Sequence, residues 1–403
     1  MTVTTILDNI QNRGLDAALE YTWQYDQVRL NAPEVLWNPL GEPPAVVDTQ
    51  IADAIEFAID RIQDFHEKTR PQGASTTPQP GMHLEERFVP LSRVGIYIPN
   101  GAFPLISTLL MTAIPAQVAG VGEIIAAISP RRNIRESSLW TYLFQRLRIS
   151  RVLLLGGAQA IGILAYGFDG FPPVDLVAGP GNRWVAEAKQ EVFRRGLVGI
   201  DVSAGPSEVL IMANQPEYED FALADLLAQA EHDQDARAEF VTQNGPLAIR
   251  IRERVKSAQK RGLGTVNVTV VNSAEEMVRI ANQRAPEHLG LMGDDVEPLA
   301  DRIWAAGALF IGPWAGQALG DYIAGPSHVL PTGGTARFQS GLSTRTFMKR
   351  ISVIKASPIG SSEAYEHAAV LAGLEGLANH EYSLRLRLSK WTAKEMLSHG
   401  TDR

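Results

Sequence analysis

Cysteine is absent from this chain of 403 residues. Without a thiol, the protein forms no disulfide bond, binds no metal through thiolate sulfur and uses no covalent thiol intermediate. Any metal it holds must therefore be bound by nitrogen and oxygen, which histidine, carboxylate and amide side chains supply. A redox reaction catalysed by this chain must likewise proceed without a cysteine adduct.

Excess positive charge and long apolar runs are missing as well. The chain has 37 Lys and Arg against 45 Asp and Glu, a formal net charge of −8, so a nucleic-acid partner is not expected. No apolar run approaches the roughly 18 residues that would span a bilayer. The N-terminus also lacks the basic and apolar regions of a secretory signal. We therefore expect no membrane association and a cytoplasmic location.

The length and the apolar pattern predict more than one α/β domain. A chain of this length exceeds what one hydrophobic core usually organises, so two main domains with appendages are expected. From Arg93 onward, short apolar strands alternate with glycine turns and helices, which predicts parallel α/β layers. The predicted strands are Val94–Ile98, Glu123–Ile128, Arg151–Leu155, Val174–Val177, Glu208–Met212, Val266–Val271 and Ala308–Ile311.

Both ends of the chain have a different character. The first 70 residues are predicted to be mainly helical, with repeating apolar positions from Ile51 to Ile62. A polar stretch rich in Pro, Gly and Thr, Pro71–Gly81, separates them from the α/β part. The last sixty residues are predicted to be mostly helical and to include the cationic run Ser383–Lys390. We interpret them as a tail that packs on another surface.

Three glycine-rich turns stand beside predicted strands. Gly156–Gly162 is typical of a turn that brings a helix N-terminus towards an anion, but it is not a complete G-x-G-x-x-G and also suits a structural turn. Asn182 follows the second turn as a helix N-cap, and that role alone could account for it. The third turn, Ala204–Glu208, precedes a strand. Together they favour a cleft built from loops without identifying its ligand.

The eight histidines divide into two groups. His66, His83 and His399 are predicted to be solvated, and His367 to lie on a helix surface. The other four stand close in sequence to carboxylate or amide side chains: Gln229 with His232, Glu287 with His288, Asp321 with His328, and Glu375 with His380. Gln, Asp and two His side chains could form a zinc site without cysteine, although a surface Gln/His pair is also common and spacing does not show convergence.

In this order the motifs resemble those of the histidinol dehydrogenase family, from about Leu91 to Leu388. The resemblance rests on Arg93-Val-Gly-Ile-Tyr97, Gly156-Gly-Ala-Gln159, Gly179-Pro-Gly-Asn182, Ala204-Gly-Pro-Ser207-Glu, Leu227-Ala-Gln229-Ala-Glu-His232, Ala285-Pro-Glu287-His288, Gly320-Asp321-Tyr and His328-Val-Leu-Pro. Asn100 and Gly167–Phe171 depart from the family pattern, and the N-terminal region is shorter than usual. These departures put cofactor affinity in question more than the type of reaction.

The resemblance implies a fold and an assembly. The fold would be two Rossmann-like domains with incomplete dinucleotide motifs and a helical C-terminal tail, in an intertwined homodimer whose tail completes the partner's site. The implied limits are 1–96 with 208–342 for the first, discontinuous domain, 97–207 for the NAD-contacting domain and 343–403 for the tail.

The resemblance also implies site residues. One zinc ion per subunit would be held by Gln229, His232, Asp321 and His380, and these side chains, together with His288, would also contact the substrate. NAD+ would be contacted by Tyr97, Gln159 and Asn182. Ser207, His328 and Glu375 would complete the substrate site, and Glu287 and His288 would be the acid–base pair.

The implied reaction is the four-electron oxidation of L-histidinol to L-histidine with two NAD+, in histidine biosynthesis. His288 would remove the hydroxyl proton and Glu287 would activate water for the aldehyde step, because no cysteine is present to form an adduct. Glu375, expected to pair with the substrate ammonium, favours histidinol. Two alternatives stay open: a paralogue that oxidises another small polar alcohol, and a homologue that binds zinc or nucleotide without catalysis.

Overall fold

The parallel layers predicted from the sequence are present as two sheets in a computed structural model. It describes residues 2–100, 104–131, 133–202, 205–232, 234–258, 264–357 and 361–399, with side chains as far as residue 390. The strands are β1 Leu36–Trp37, β2 Ala74–Gln79, β3 Met82–Pro90, β4 Arg93–Ile98, β5 Glu123–Ile128, β6 Arg151–Leu153, β7 Leu176–Ala178, β8 Gly199–Ile200, β9 Glu208–Ala213, β10 Arg237–Thr242, β11 Thr265–Val270, β12 His288–Met292, β13 Ala308–Ile311 and β14 Met348–Ala356.

Helices connect most of these strands. They are α1 Val3–Arg13, α2 Leu15–Asp26, α3 Thr49–Lys68, α4 Ile106–Ala119, α5 Ser138–Arg146, α6 Gly157–Tyr166, α7 Arg183–Arg194, α8 Glu219–Ala230, α9 Gly245–Ala258, α10 Ala274–Arg284, α11 Gln317–Tyr322, α12 Ser362–Leu374 and α13 Ala378–His399. In the described part of the chain, none of the helices has the length and apolarity needed to cross a membrane.

The chain divides into two units, and both parallel sheets lie in unit 1, which comprises Met1–Arg70 and Pro90–Phe347. The first sheet has the order β1-β6-β5-β4-β7-β8, with only β1 antiparallel to its neighbour. The second has the order β11-β10-β9-β12-β13 and is parallel throughout. The inner strands of each sheet are largely buried, as expected for parallel sheets covered by helices, whereas the edge strands β8, β11 and β13 are half-buried or exposed.

The N-terminal helices pack in the core of the first sheet. Leu7 and Ile10 of α1 join a buried cluster with Ile125 and Leu164. Gly162 of α6 makes this approach feasible, because a Cβ at that position would come within 2.7 Å of Ile10. In this core the first helices therefore accompany the first sheet, whereas the resemblance implied that they belong with the second. Because both sheets lie in one unit, the structure does not divide them into two domains, and the predicted domain limits stay a prediction.

Unit 2 comprises Pro71–Val89 and Met348–Arg403. Its three-stranded sheet has the order β14-β3-β2, and α12 packs on α13. Two expectations were incomplete here. The polar stretch Pro71–Gly81 contains strand β2, and the tail begins with strand β14 before its two helices. These strands are largely exposed along their length, so an apolar pattern does not mark them in the sequence.

His66 is buried, and the prediction that it is solvated was wrong. Its exposed fraction is 1%, and neither ring nitrogen has a hydrogen-bond partner among the described residues. The spacing of Ile55, Ile59, Ile62 and His66 places all four on one stripe of α3, a signal that the sequence contains. Burial lowers the pKa of His66 to about 4.

We expect His66 to make the protein less stable in acid. Its pKa of about 4 in the folded chain lies below the ordinary value of 6.5, so the stabilising contribution is complete above pH 6.5 and is lost as the pH falls towards 4. The full loss would be about 3 kcal/mol. Thermal denaturation between pH 7 and pH 4.5 should show a smaller decline for His66→Leu than for wild type. The exposed His367 provides the control, and His367→Gln should retain the wild-type decline. Parallel pH profiles for wild type and His66→Leu would contradict this account.

Candidate active site

Glu287 and His288 meet the start of a neighbouring strand in the second sheet. Strand β12 begins at His288 and pairs in parallel with β9, which begins at Glu208. The backbone N–H of Glu208 donates to Glu287 Oε2 at 2.8 Å, and the backbone carbonyl of Glu208 lies 3.1 Å from His288 Nδ1. Both side chains are buried, with Glu287 6% and His288 5% exposed. One peptide segment therefore holds both members of the predicted acid–base pair.

This contact determines which nitrogen of His288 is free to accept a proton. A backbone carbonyl only accepts hydrogen bonds, so Nδ1 must carry the hydrogen that it donates to Glu208. In the neutral imidazole the lone pair is then on Nε2. Nε2 lies 3.6 Å from Oδ1 of Asp321. The base is therefore oriented towards the predicted ligand Asp321.

Burial and charge bring the pKa values of the pair close to neutrality. Burial raises the pKa of Glu287 to about 7, although the charge of His288 and the N–H of Glu208 oppose the shift. For His288 burial opposes the charged form, but the carboxylates of Asp321 and Glu287 outweigh it and raise the pKa to about 8. Groups that titrate near the working pH exchange protons readily, so this pair suits acid–base catalysis.

A second predicted carboxylate and a second histidine stand beside the pair. Asp321 lies in the short helix α11, and its carbonyl accepts a hydrogen bond from Nδ1 of His328 at 2.7 Å. Since that carbonyl can only accept, Nδ1 carries the hydrogen and Nε2 of the neutral His328 ring is the acceptor. Burial lowers the pKa of His328, which favours its neutral form. Burial would raise the pKa of Asp321, but its contact with His288 and the nearby charges of His328 and His232 lower it.

The predicted ligands Gln229 and His232 lie at the end of α8. Gln229 is fully buried, whereas His232 is exposed just beyond the helix, with its backbone N–H bonded to the Gln229 carbonyl at 3.2 Å. The Gln229 side chain pairs with that of Gln317, the first residue of α11. Nε2 of Gln229 has no partner in the described residues. Helices α8 and α11 therefore bring Gln229 and Asp321 to one region of unit 1.

The structure does not bring the remaining predicted substrate and metal residues together with the acid–base pair. Ser207 is half-buried immediately before β9, and Ala204 of the same motif lies outside the described residues. Glu375 and His380 are exposed and belong to unit 2, at the end of α12 and in α13. Among the described side chains, no group of three or more His, Cys, Asp or Glu is arranged to hold a metal. Of the four predicted zinc ligands, unit 1 contains only two His or Asp side chains, His232 and Asp321, together with the amide of Gln229.

The predicted nucleotide contacts lie at the carboxyl end of the first sheet. The chain moves from β4 through β5 to β6 on one side and then continues with β7 and β8 on the other. Open parallel sheets bind ligands at such a reversal of strand order. Tyr97 in β4 is buried, and its hydroxyl accepts the backbone N–H of Gly157 at 3.1 Å. The helix α6 that begins there carries Gln159.

Asn182 is a helix cap, as the sequence predicted. Its Oδ1 accepts the backbone N–H groups of Trp184 and Val185 at 3.1 and 3.2 Å, and the residue is exposed. The preceding turn is held by a buried ion pair. Gly179 bonds to both partners, its N–H donating to Asp201 and its carbonyl accepting from Lys189. With φ at +107° and a Cβ position only 2.3 Å from the Tyr97 carbonyl, this residue must be glycine.

Asp26 belongs to this region and was not predicted from the sequence. Its carboxylate accepts from Gln159 Nε2 at 3.3 Å and from Ser129 Oγ at 2.8 Å, and pairs with Arg131 at 3.0 Å. Asp26 ends helix α2 and stands far from Gln159 in the sequence, so no local motif indicates the contact. The N-terminal helices therefore contribute to the predicted nucleotide site.

The two segments predicted to depart from the family pattern have local roles. Asn100 is buried, and its Nδ2 donates to the carbonyls of Ser129 and Arg131 at 3.0 Å each. Gly101, next to it, lies outside the described residues. Within Gly167–Phe171, Phe168 and Phe171 exchange backbone hydrogen bonds, and their rings stack. Asn100 therefore ties together loops beside the predicted nucleotide site, while the second segment closes a turn.

Comparison with known proteins gives a consistent result. The profile of the family described as Histidinol dehydrogenase matches residues 1–388. The chain is 40% identical to histidinol dehydrogenase from Oceanobacillus iheyensis, with 96% of this chain and 92% of that protein covered. The identity to the protein of the same name from Hydrogenovibrio crunogenus is also 40%, with the same coverage. The crystal structure of histidinol dehydrogenase from Elizabethkingia anophelis matches with a TM-score of 0.89, 31% identity and coverage of 97% of this chain and 92% of that one.

Proposed function

This chain belongs to the histidinol dehydrogenase family, whose members are NAD-dependent oxidoreductases acting on CH–OH groups; from that premise we propose that it oxidises L-histidinol to L-histidine. The observation that carries the proposal is the arrangement of Glu287, His288 and Asp321. A histidine with a free Nε2 and a carboxyl group whose pKa is near 7 stand side by side on one peptide segment. Two proton transfers are what the two oxidations require.

In the first oxidation His288 is the base. The carbinol carbon gives up a hydride while the hydroxyl proton passes to His288 Nε2, which leaves an aldehyde. The hydrogen bond from Nδ1 to the Glu208 carbonyl holds the ring in the required tautomer. The carboxylates of Asp321 and Glu287 stabilise the imidazolium that forms.

In the second oxidation Glu287 is the base. Water adds to the aldehyde while Glu287 removes one of its protons, and the resulting hydrate anion gives up a second hydride to become the acid. Since the chain has no cysteine, no thiol adduct competes with this route. The pKa of about 7 allows Glu287 to be ionised in an appreciable fraction of molecules at neutral pH.

NAD+ supplies the hydride acceptor for both steps. The residues at the carboxyl end of the first sheet fit a dinucleotide, because the strand order reverses there and helix α6 begins at the Gly156–Gly157 turn. We propose that Tyr97, Gln159 and Asn182 contact it. Asn182 is exposed, whereas the side chains of Tyr97 and Gln159 are buried.

The residues of unit 1 also fit a zinc ion. Gln229 is a buried amide with an unpartnered atom, His232 is exposed and Asp321 lies within electrostatic range of His232. We propose that these three and His380 hold the metal. Bound zinc would fix the substrate's imidazole and amine and so orient the alcohol carbon. Ser207 and His328 would contact the substrate, and Glu375 would pair with its ammonium group.

Zinc dependence gives a direct prediction. Chelation should abolish activity, and His232→Ala should lose the bound metal, because one of four ligands is removed. Elemental analysis and activity assays would measure both effects. His367→Ala, which changes an exposed histidine on α12, should keep the metal and the activity. Normal histidinol turnover by protein shown to be metal-free would refute the zinc assignment.

We propose further that the protein is a homodimer with shared active sites. Two observations support this. Glu375 and His380 are exposed in unit 2, where a partner could receive them. Large apolar side chains of unit 1 are exposed as well, including Trp314 at 84% and Phe338 at 72%, and such surfaces commonly mark protein interfaces. The cytoplasmic location stays a prediction.

The reaction itself separates the proposal from its alternatives. Histidinol should be converted to histidine with two NAD+ reduced per substrate, measured by NADH formation together with product analysis. A paralogue would prefer another small polar alcohol, and a non-enzymatic homologue would bind NAD+ or zinc without turnover. Reduction of only one NAD+ per histidinol would exclude the four-electron reaction.

A further inference from the structure

The buried amides of Gln229 and Gln317 form an incomplete pair. Nε2 of Gln317 donates to Oε1 of Gln229 at 3.0 Å, and both side chains are almost completely buried. Nε2 of Gln229 and Oε1 of Gln317 have no partner in the part of the chain that the structure describes. The pair therefore leaves one donor and one acceptor unsatisfied inside the protein, which is costly unless something else completes them.

Two facing amides can pair in two ways. A half-turn of both groups exchanges oxygen and nitrogen, so that Gln229 Nε2 donates to Gln317 Oε1 across the same gap. In the first arrangement Gln229 presents its Nε2 away from Gln317, and in the second it presents Oε1. A metal ion binds the lone pair of a carbonyl oxygen, whereas an amide N–H₂ group offers it only hydrogens. Only the second arrangement lets Gln229 act as a ligand.

We propose that Gln317 is a positioning residue for the zinc site, because its Oε1 accepts from Gln229 Nε2 and thereby directs Gln229 Oε1 towards the metal. This inference rests on the zinc site proposed above. Its support is the position of Gln317, which begins the helix that carries Asp321. The backbone N–H of Gln317 also faces the carboxylate of Asp225, which stands one turn before Gln229 in α8. The main chain and the side chain of Gln317 thus connect the helices that carry Gln229 and Asp321.

The test compares acceptor and apolar replacements of Gln317. In Gln317→Glu an ionised carboxylate can only accept, so it should draw Gln229 Nε2 towards itself and keep Oε1 directed to the metal. Zinc affinity should then stay within about threefold of wild type. In Gln317→Met and Gln317→Leu the orienting acceptor is lost, and the affinity should fall by roughly 10–100-fold, as is typical when a partner of a metal ligand is removed. Affinity is measured on metal-free protein by competition with a chromophoric chelator.

Two controls separate orientation from charge and from folding. Ala318→Glu places the same charge on the neighbouring residue, which is exposed and does not belong to the buried amide pair. Its zinc affinity should stay within about threefold of wild type. Thermal denaturation of the metal-free variants shows whether they are folded, and either apolar variant is sufficient for the comparison.

The outcomes are distinct. Zinc binding that is retained in Gln317→Glu and weakened in the apolar variants supports the proposal. Equal affinities, or weaker binding in Gln317→Glu than in Gln317→Met, would overturn it while the zinc site itself stands. If Ala318→Glu bound zinc more than about threefold more tightly than wild type, charge alone would strengthen the site, and that result would also overturn the proposal. Wild-type protein that binds no zinc would remove the proposed metal site, and the role of Gln317 with it.

Discussion

Glu287→Gln is expected to slow the oxidation of histidinal by roughly 10²–10⁴-fold, which is the range for loss of a general base. Glutamine preserves the shape of the side chain and an oxygen that can accept the Glu208 N–H, but it cannot take a proton from water. The first oxidation should keep most of its rate because its base is His288. A modest effect remains, since removing the charge of Glu287 lowers the pKa of His288.

Single-turnover kinetics with histidinol and histidinal as separate substrates would measure the two steps. His288→Asn should have the complementary effect, with the alcohol step slowed by roughly 10²–10⁴-fold. Glu253→Gln, an exposed carboxylate in α9, is the matched control and should leave both steps unchanged. If Glu287→Gln slows the alcohol step and oxidises the aldehyde normally, the division of roles is wrong.

Mixing two inactive variants should restore about one quarter of the wild-type activity if each site is built from two chains. His232→Ala chains lack a ligand in unit 1, and His380→Ala chains lack the ligand in α13. In a mixed two-fold dimer, the site formed by the His380→Ala body and the His232→Ala tail has all four ligands, and the other site lacks two. Random exchange makes half of the dimers mixed, and half of their sites complete.

Subunit exchange must be demonstrated before the activity is interpreted. Mass-tagged subunits would show the mixed dimers, and each variant alone should be inactive. His367→Ala chains, changed at an exposed position in α12, serve as the matched partner in a control mixture with His380→Ala. The His367→Ala chains are active by themselves. The control mixture therefore gives the activity of complete sites with which the recovered activity of the test mixture is compared. No recovery in the test mixture despite proven exchange would mean that the ligands come from one chain.

Strand prediction succeeded where a short, largely apolar run follows a glycine. Glu123–Ile128 and Ala308–Ile311 have the predicted limits. Strand β10 was missed although it lies between β11 and β9 in the second sheet, because Glu239 interrupts its apolar run. Strands β2 and β14 were missed for another reason. They lie in one sheet although some 270 residues separate them, and neither has a buried face that an alternating pattern would reveal.

Much of the chemistry could be inferred from residue types and their order alone. The lack of cysteine limits a metal site to nitrogen and oxygen ligands, and the succession of Gly, Gln, His and Glu-His motifs identifies the family now shown by comparison. These features are local, because each motif is a short run whose meaning does not depend on distant residues. The pairing of Glu287 with His288 belongs to this class, since the two are adjacent in the chain.

Tertiary contacts decided the rest. Only the parallel pairing of β9 with β12 brings the Glu208 peptide to Glu287 and His288, and that contact selects the tautomer and helps to set both pKa values. Gln317, 88 residues from Gln229, likewise becomes its partner only when α11 meets α8. Hydrogen bonding and desolvation act over a few ångströms, so they depend on which distant segments the fold places in contact.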